Sequence, residues 1–573
     1  MSVLDALLRQ PLPLPTLFQA LAAIVALAVL AFLYRWVWVP YSLPYKNFQG
    51  PPSESWLFGV FPAVMKADPG KAHGEWMKEY GYTMWYKGFL GSPRIWTADP
   101  NVIQYILQHA YDYPKDDGTR SFLAQILGPG VLVAEGADHK RQRKIMNPSF
   151  APNNIRDNHI PIFESKAYEL RDTLRRIVAD AENSNGSSDS VDVAYWLGKC
   201  TMDVIGLAGF DYDFNSLAVP DNELANAFHE MFSADRQFTL MSILAFVFPP
   251  FRYIPTRQMR TQWKALAIQE RIGNALIQKK KEAVLSGSVE KEGKDLLSII
   301  VRANMDPDLK PTQRITDTEV LGQITTFFLA GQETSSNALT WCLWQLAQHQ
   351  DIQDKLREEV AAVGDDYPGM DTLNSLTYLD ATVHEILRLM APVPSTRRDS
   401  RVDATIPLAN PVIGRDGKMI HEVTIPKNTA VLMSILNLNT TEDIWGTDAG
   451  EFRPERWLSK EQTAGASAIP GVWGNMMTFL GKLRFQWPAS LHVSVNFTSY
   501  DDTSLQLGTV ISGFRFAIME IKTILFVLIR NFVFDLPTPR VQIEKKTSLV
   551  TRPFVKGERE KGPQMPLAIR VVS

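Results

Sequence analysis

Apolar residues recur at helical spacing over much of the chain. Amphipathic helices are predicted over Ile155–Ala181, Tyr195–Gly209, Thr261–Leu285, Thr316–Gln350 and Leu379–Met390. β-like stretches such as Thr83–Tyr86 and Val423–Ile425 are few and short, Glu182–Ser190 reads as a polar loop, and no internal repeat is evident. The expected fold class is mostly α with a small β region.

The N-terminal segment has a different pattern. No charged residue lies between Pro11 and Tyr34, and Ala20–Leu33 lacks both Pro and Gly. A bilayer is crossed by about 20 apolar residues. A cleaved signal has a shorter apolar region and a small-residue cleavage site. Here the run leads into Tyr34-Arg35-Trp36-Val37-Trp38, which reads as an interfacial aromatic belt with a snorkelling cation. The expectation is a single-pass transmembrane anchor over residues 1–39. A stiff hinge follows over 40–59, set by Pro40, Pro44, Pro51 and Pro52, and then a body over 60–573. Arg35 and Lys46 follow the span while Arg9 precedes it, which favours a cytosolic body. Phe238–Phe251 is strongly apolar and reads either as a buried helix end or as a surface that dips into the membrane and admits apolar substrates.

Composition adds little more. The 573 residues are 45% hydrophobic and 21% charged, as in an ordinary globular enzyme. With 59 basic and 62 acidic residues the net charge is -3, which gives no reason to expect nucleic-acid binding. Cys200 and Cys342 are the only cysteines, so there is no disulfide framework.

Chemistry concentrates in a few motifs. Ala330-Gly331-Gln332-Glu333-Thr334-Ser335 lies inside a long predicted helix, where an interior glycine costs about 1 kcal/mol and wants a reason. Small Ala330 and Gly331 make room for a diatomic ligand. Thr334 can bend the helix by bonding a carbonyl one turn back and can hold a water, and Glu333 can supply protons. Glu385 and Arg388, at i and i+3, meet on one helix face; Arg456, in Pro454-Glu455-Arg456-Trp457, is a candidate third member of a buried network. In Gly136–Lys144, His139 and Arg143 share a face, while Lys140, Arg141 and Lys144 lie toward the other side. Each motif alone has a plainer reading as ordinary helix or solvated surface.

Taken in order, these elements resemble a membrane-bound cytochrome P-450, a haem-thiolate monooxygenase. The resemblance runs from about Pro51 to the C-terminus, interrupted at Lys482–Ser512, and its last motif is split between Phe479-Leu480-Gly481 and Gly513-Phe514-Arg515-Phe516. It implies a cytochrome P-450 fold with haem b as cofactor. The implied activity inserts one oxygen atom of O2 into an apolar small-molecule substrate. By carry-over, Thr334, Glu333, Ala330 and Gly331 form the oxygen-side relay. His139, Arg143 and Arg398, with Phe479 and Gly513, contact the cofactor, and Glu385, Arg388 and Arg456 form a structural triad. No flavin or iron–sulfur domain is readable, so an NADPH-dependent flavoprotein reductase is the expected electron donor, docking over Lys140, Arg141 and Lys144. The endoplasmic reticulum is the expected membrane.

One departure is large. The family pattern places an axial cysteine between Phe479 and Gly513, where this chain has Lys482–Ser512 without any cysteine. Such a thiolate pushes electron density onto iron and favours O–O cleavage. Cys342, two turns past Thr334, and Cys200 are not placed to replace it, and nothing in the insert would hold His492 there. No residue is therefore assigned as a metal ligand. Either the protein has lost catalysis and acts as a membrane-tethered binding protein, or the segment is an artefact of misreading the gene's frame and splice sites. For the second, Trp487–His492 can be written TGG CCC GCG AGC CTG CAT, which shifted by one base reads Gly-Pro-Arg-Ala-Cys and begins an Ile codon. Val493-Ser494 can likewise hold a splice donor, and Ile511-Ser512 an acceptor.

Overall fold

The computed structural model describes residues 14–183, 190–219, 222–224, 227, 257–286, 295–310, 312–459, 461, 463–480, 513–547 and 549–572. The apolar run Phe238–Phe251 and the insert 482–512 lie outside the described residues, as does most of the polar loop 182–190. Helices used below are α1 (Leu14–Leu33), α2 (Gly136–Met146), α3 (Ile160–Asn183), α4 (Val193–Phe210), α5 (Asp317–Gln348), α6 (Gln350–Ala361), α7 (Thr377–Leu389) and α8 (Phe514–Asn531). Strands are β1 (Thr83–Lys87), β2 (Pro93–Thr97), β3 (Ser395–Asp399), β4 (Ala430–Ser434), β5 (Ile543–Thr547) and β6 (Thr551–Val555).

The body is built on α5, a helix of 32 residues. Its start is fixed by a capping box: the Thr316 hydroxyl accepts from Glu319 N while the Glu319 carboxylate accepts from Thr316 N. Apolar residues then bury most of its length, including Val320, Ile324, Phe328, Leu339 and Leu343. α4 lies against it, with the Phe210 and Phe328 rings stacked at 4.8 Å. On the far side of the insert, α8 buries Ile524 to Ile529 completely and packs on α3 and α6.

A smaller core surrounds a four-stranded sheet of order β1-β2-β4-β3. β1 and β2 form an antiparallel hairpin, β4 runs parallel to β2 (Ile95 opposite Val431), and β3 is antiparallel to β4 (Arg398 opposite Val431). β5 and β6 form a separate hairpin. The strands are more numerous than the sequence pattern indicates, because most are only 2–7 residues long and half-buried strands this short carry little alternation.

Toward the N-terminus the helix continues past the expected boundary at residue 39. α1 passes through a π-turn, Tyr34–Trp38, into Val39–Ser42, with Pro40 tolerated in the first turn. Among the described residues, no helix is long and apolar enough to cross a membrane. α1 itself is 20 residues without a charge, several of its side chains lie outside the described set, and those described are exposed.

Inside the helical core, α8 carries Glu520, fully buried and with neither carboxylate oxygen at hydrogen-bonding geometry. Burial pushes its carboxyl up to about 8, and the Ser335 hydroxyl on α5 opposes only part of this. A carboxyl whose folded pKa is raised costs nothing at low pH. The cost grows as pH climbs from the unfolded value, 4.5, toward 8, because only the unfolded chain ionises in that window. Glu520→Gln is therefore expected to flatten the pH dependence of the melting temperature between these limits, with the variant the more stable at pH 8.

Candidate functional site

Four basic side chains from three elements meet beside the sheet: Lys115, His139 and Arg143 of α2, and Arg398 of β3. Burial lowers the His139 imidazole to about 4, with Lys115 and Arg143 pushing the same way and Glu135 opposing, so it is neutral at pH 7. Arg398, inward on β3, donates to Thr396 Oγ1 at 2.7 Å and to the Arg397 carbonyl at 2.9 Å; burial holds its pKa down. Arg143 is 8% exposed, and its Nε has no partner. Lys115 Nζ reaches Glu135 Oε1 at 3.1 Å. Lys115 and Arg398 are thus drawn together beside Glu135 and Arg143 beside His139, with Asp116 adding a weaker field at Arg398. Charge buried without a matching partner is costly, so the site is built for an anion. The two propionates of haem b fit that requirement, with the orphaned Arg143 Nε as a waiting donor. Lys115 was not legible as a site residue: a single lysine after a proline carries no pattern.

On α5, Thr334 Oγ1 donates to the Ala330 carbonyl at 2.6 Å, the back-bond that bends a helix. From the other side, Thr201 of α4 donates to the Gln332 carbonyl at 3.0 Å, and Gln332 Nε2 donates to the Gly198 carbonyl at 3.3 Å. Ala330 is exposed and Thr334 partly so, which places both on an open face of the helix. Gly331 faces elsewhere. A Cβ there would lie 2.9 Å from Ile205 Cδ1 and Cγ1, so α4 packs close against this glycine. Glu333 turns to β6, where its buried carboxylate pairs with Arg552. Burial raises its pKa and Arg552 opposes this.

Below α5, Glu385, Arg388 and Arg456 form one buried network. Arg388 holds Glu385 with a two-pronged contact at 2.9 and 2.8 Å and donates onward to the carbonyls of Asn439 and Ala449. Arg456 contacts Glu385 at 3.5 Å and Asp448 at 2.9 Å. Trp457 Nε1 and the Arg453 backbone N–H complete the Glu385 carboxylate at 2.9 and 3.0 Å. Every charge is met, which is what permits ions here at all.

Phe479 and Phe514, on opposite sides of the insert, bring their rings to 5.9 Å, so the two halves of the signature meet in space. Phe479 also contacts Trp473, and Gly513 lies under Phe150, where a Cβ would sit 3.6 Å from its ring. Cys200 and Cys342 are buried, and burial raises both thiols well above their ordinary range, so neither offers a thiolate.

The expected docking face needs one correction. Lys140 and Lys144 are exposed, but Arg141 is not a free surface cation. Its guanidinium reaches Glu319 Oε1 at 2.5 Å and Asp138 at 3.0 Å, and the Arg314 carbonyl accepts from it as well. It latches α2 to the start of α5, and Glu319 is held down to about 2 chiefly by Arg141 against the cost of its burial.

The sequence matches the cytochrome P-450 family model over residues 49–470. The chain belongs to the cytochrome P-450 family. It is 41% identical to cytochrome P-450 monooxygenase 128 of Postia placenta over 93% of this chain and 94% of that protein. It is 38% identical to monooxygenase 205 of the same fungus, over 92% and 93%. A ganoderic acid synthetase of Ganoderma lucidum is 32% identical over 96% and 98%. The cofactor of this cytochrome P-450 is accordingly haem b, and its family chemistry is monooxygenation.

Arg388→Met leaves the Glu385 carboxylate with a far weaker partner in a site that excludes water. The expected loss is about 3–5 kcal/mol, read as a lower urea midpoint with an unchanged slope. Lys140→Glu, on the exposed side of α2, should leave that midpoint where it is.

Proposed function

We propose that this chain, in a form that carries the axial cysteine, is a membrane-anchored monooxygenase. It inserts one oxygen atom of O2 into an apolar organic substrate, with electrons from a separate NADPH-dependent flavoprotein reductase. The observations that carry this reading are a buried basic cluster suited to an anion and, on α5, an open face at Ala330 and Thr334. Haem, when bound, supplies the O2 activation. The protein's own residues bind and orient it: Lys115, Arg143 and Arg398 hold the propionate side, with His139 as a neutral donor. The Thr334 hydroxyl donates to the Ala330 carbonyl, which leaves its oxygen free to accept from a pocket water. Rotating off that carbonyl lets the same hydroxyl pass a proton toward the pocket. The reductase is expected over exposed Lys140 and Lys144, where opposite charge speeds encounter.

A single-pass anchor at α1, with the body on the cytosolic side of the endoplasmic reticulum, is part of the proposal. It is supported by an uncharged helix whose described side chains are all exposed. A second reading is favoured by one observation. With Cys200 and Cys342 buried and protonated, the sequence as written has no axial thiolate, and such a protein would be an inactive, membrane-tethered binding homologue.

The two readings separate in one experiment. Reduced, CO-treated membranes containing the sequence as written should lack the thiolate-type Soret band, whereas a product with Gly-Pro-Arg-Ala-Cys restored should show it. A transcript that encodes Lys482–Ser512 in frame would favour the inactive reading. In the restored enzyme, Thr334→Ala keeps volume but removes the hydroxyl. Product per NADPH should fall roughly tenfold or more while hydrogen peroxide rises, and Thr334→Ser should keep most of the coupling. Full coupling in Thr334→Ala would contradict the role given to Thr334.

A further inference from the structure

Where α1 meets the body, the chain is clamped. Trp36 lies over the turn between β1 and β2, and Gly91 in that turn has φ +70; a Cβ there would come within 2.7 Å of Trp36 Nε1. Lys87 sits over the Trp36 ring at 4.2 Å and donates to the Trp36 carbonyl at 3.3 Å. One turn earlier, Phe32 stacks on Trp36 at 5.9 Å and meets Trp56 edge-on at 6.4 Å. The Trp56 segment is in turn bound to the same turn: Leu90 N donates to the Leu57 carbonyl at 2.7 Å, and Phe58 packs on Phe89 at 5.9 Å.

Around this clamp lies apolar surface that has no business in water. Trp56 is 63% exposed and Trp38 66%, and Phe58, Phe89 and Leu90 are partly exposed beside them. Leu90 holds φ +50, a conformation uncommon for a non-glycine residue, which puts an apolar side chain at the tip of the turn. The patch is continuous with α1, whose described side chains are apolar and exposed all round apart from Gln19. A helix with no polar face suits hydrocarbon, and tryptophans at its end suit the headgroup level.

We propose that Trp36 locks the anchor helix onto the β1–β2 turn, so that anchor and body tilt as one unit, and that Trp56, Phe58, Phe89 and Leu90 seat in the interfacial layer of a lipid bilayer. This rests on the reading of α1 as a membrane anchor. It replaces the expected hinge over residues 40–59 with a fixed joint, and the joint sets which face of the body the membrane covers.

The test uses the full chain in phosphatidylcholine vesicles with brominated acyl chains. Because Cys200 and Cys342 are buried, Phe89→Cys can be labelled selectively with an environment-sensitive dye. With Trp36 intact, brominated lipid should lower dye fluorescence about twofold, as expected for an interfacial position. In Trp36→Ala, and separately in Gly91→Ala, which displaces Trp36 without altering it, most of that quenching should disappear while the chain still sediments with the vesicles. Failure to sediment with Trp36 intact would overturn the anchor reading itself and the proposal with it. Sedimentation without quenching would show that the patch faces water or another protein, and equal quenching in all three chains would show that Trp36 does not set the orientation. Either result overturns the proposal.

Discussion

Lys115, Arg143 and Arg398 are drawn together out of water with too little negative charge to balance them, and the architecture around them follows from that constraint. Arg398 is held inward because β3 is the edge strand paired to β4, and Arg143 because α2 is latched to α5 through Arg141 and Glu319. Isolated, such a cluster opposes folding, since burial lowers the pKa of each of its members. On the function proposed above, the two propionates of haem b would supply the missing anions. Under that reading, cofactor binding would stabilise the fold, as does any ligand that binds only the native state.

A second buried charge system has the opposite character. Around Glu385 the ions and their backbone acceptors are matched within the chain, so this network needs no ligand and acts as a permanent tie. It joins α7 to the segment that leads toward Phe479. The positions of Phe479 and Gly513 are thus set from both sides, by that segment and by the buried helix α8, whatever occupies the loop between them.

The sequence shows the helices well because their apolar period extends over many turns. The prediction Thr316–Gln350 corresponds to Asp317–Gln348, and Leu379–Met390 to Thr377–Leu389. It shows the sheet poorly, because β4 finds its place only between β2 and β3, strands distant in sequence. The same limit applies within the site. Arg141 looks like a surface cation until Glu319 of another helix is brought to it, and nothing in the sequence signals that Ile205 packs against Gly331. Glu385, Arg388 and Arg456 are legible because two of them share one helix face and the third sits in a distinctive segment. Lys115 has no such context.

The central claim is that the buried cations exist to meet the cofactor's carboxylates. The most direct measurement compares haem with its dimethyl ester, which has the same ring but no propionate charge, as stabilisers of the apoprotein in thermal melts. Haem should raise the melting temperature clearly more than the ester does, and that difference should shrink in Arg143→Met and Arg398→Met. Equal stabilisation by haem and its ester in the unmutated chain would contradict the account.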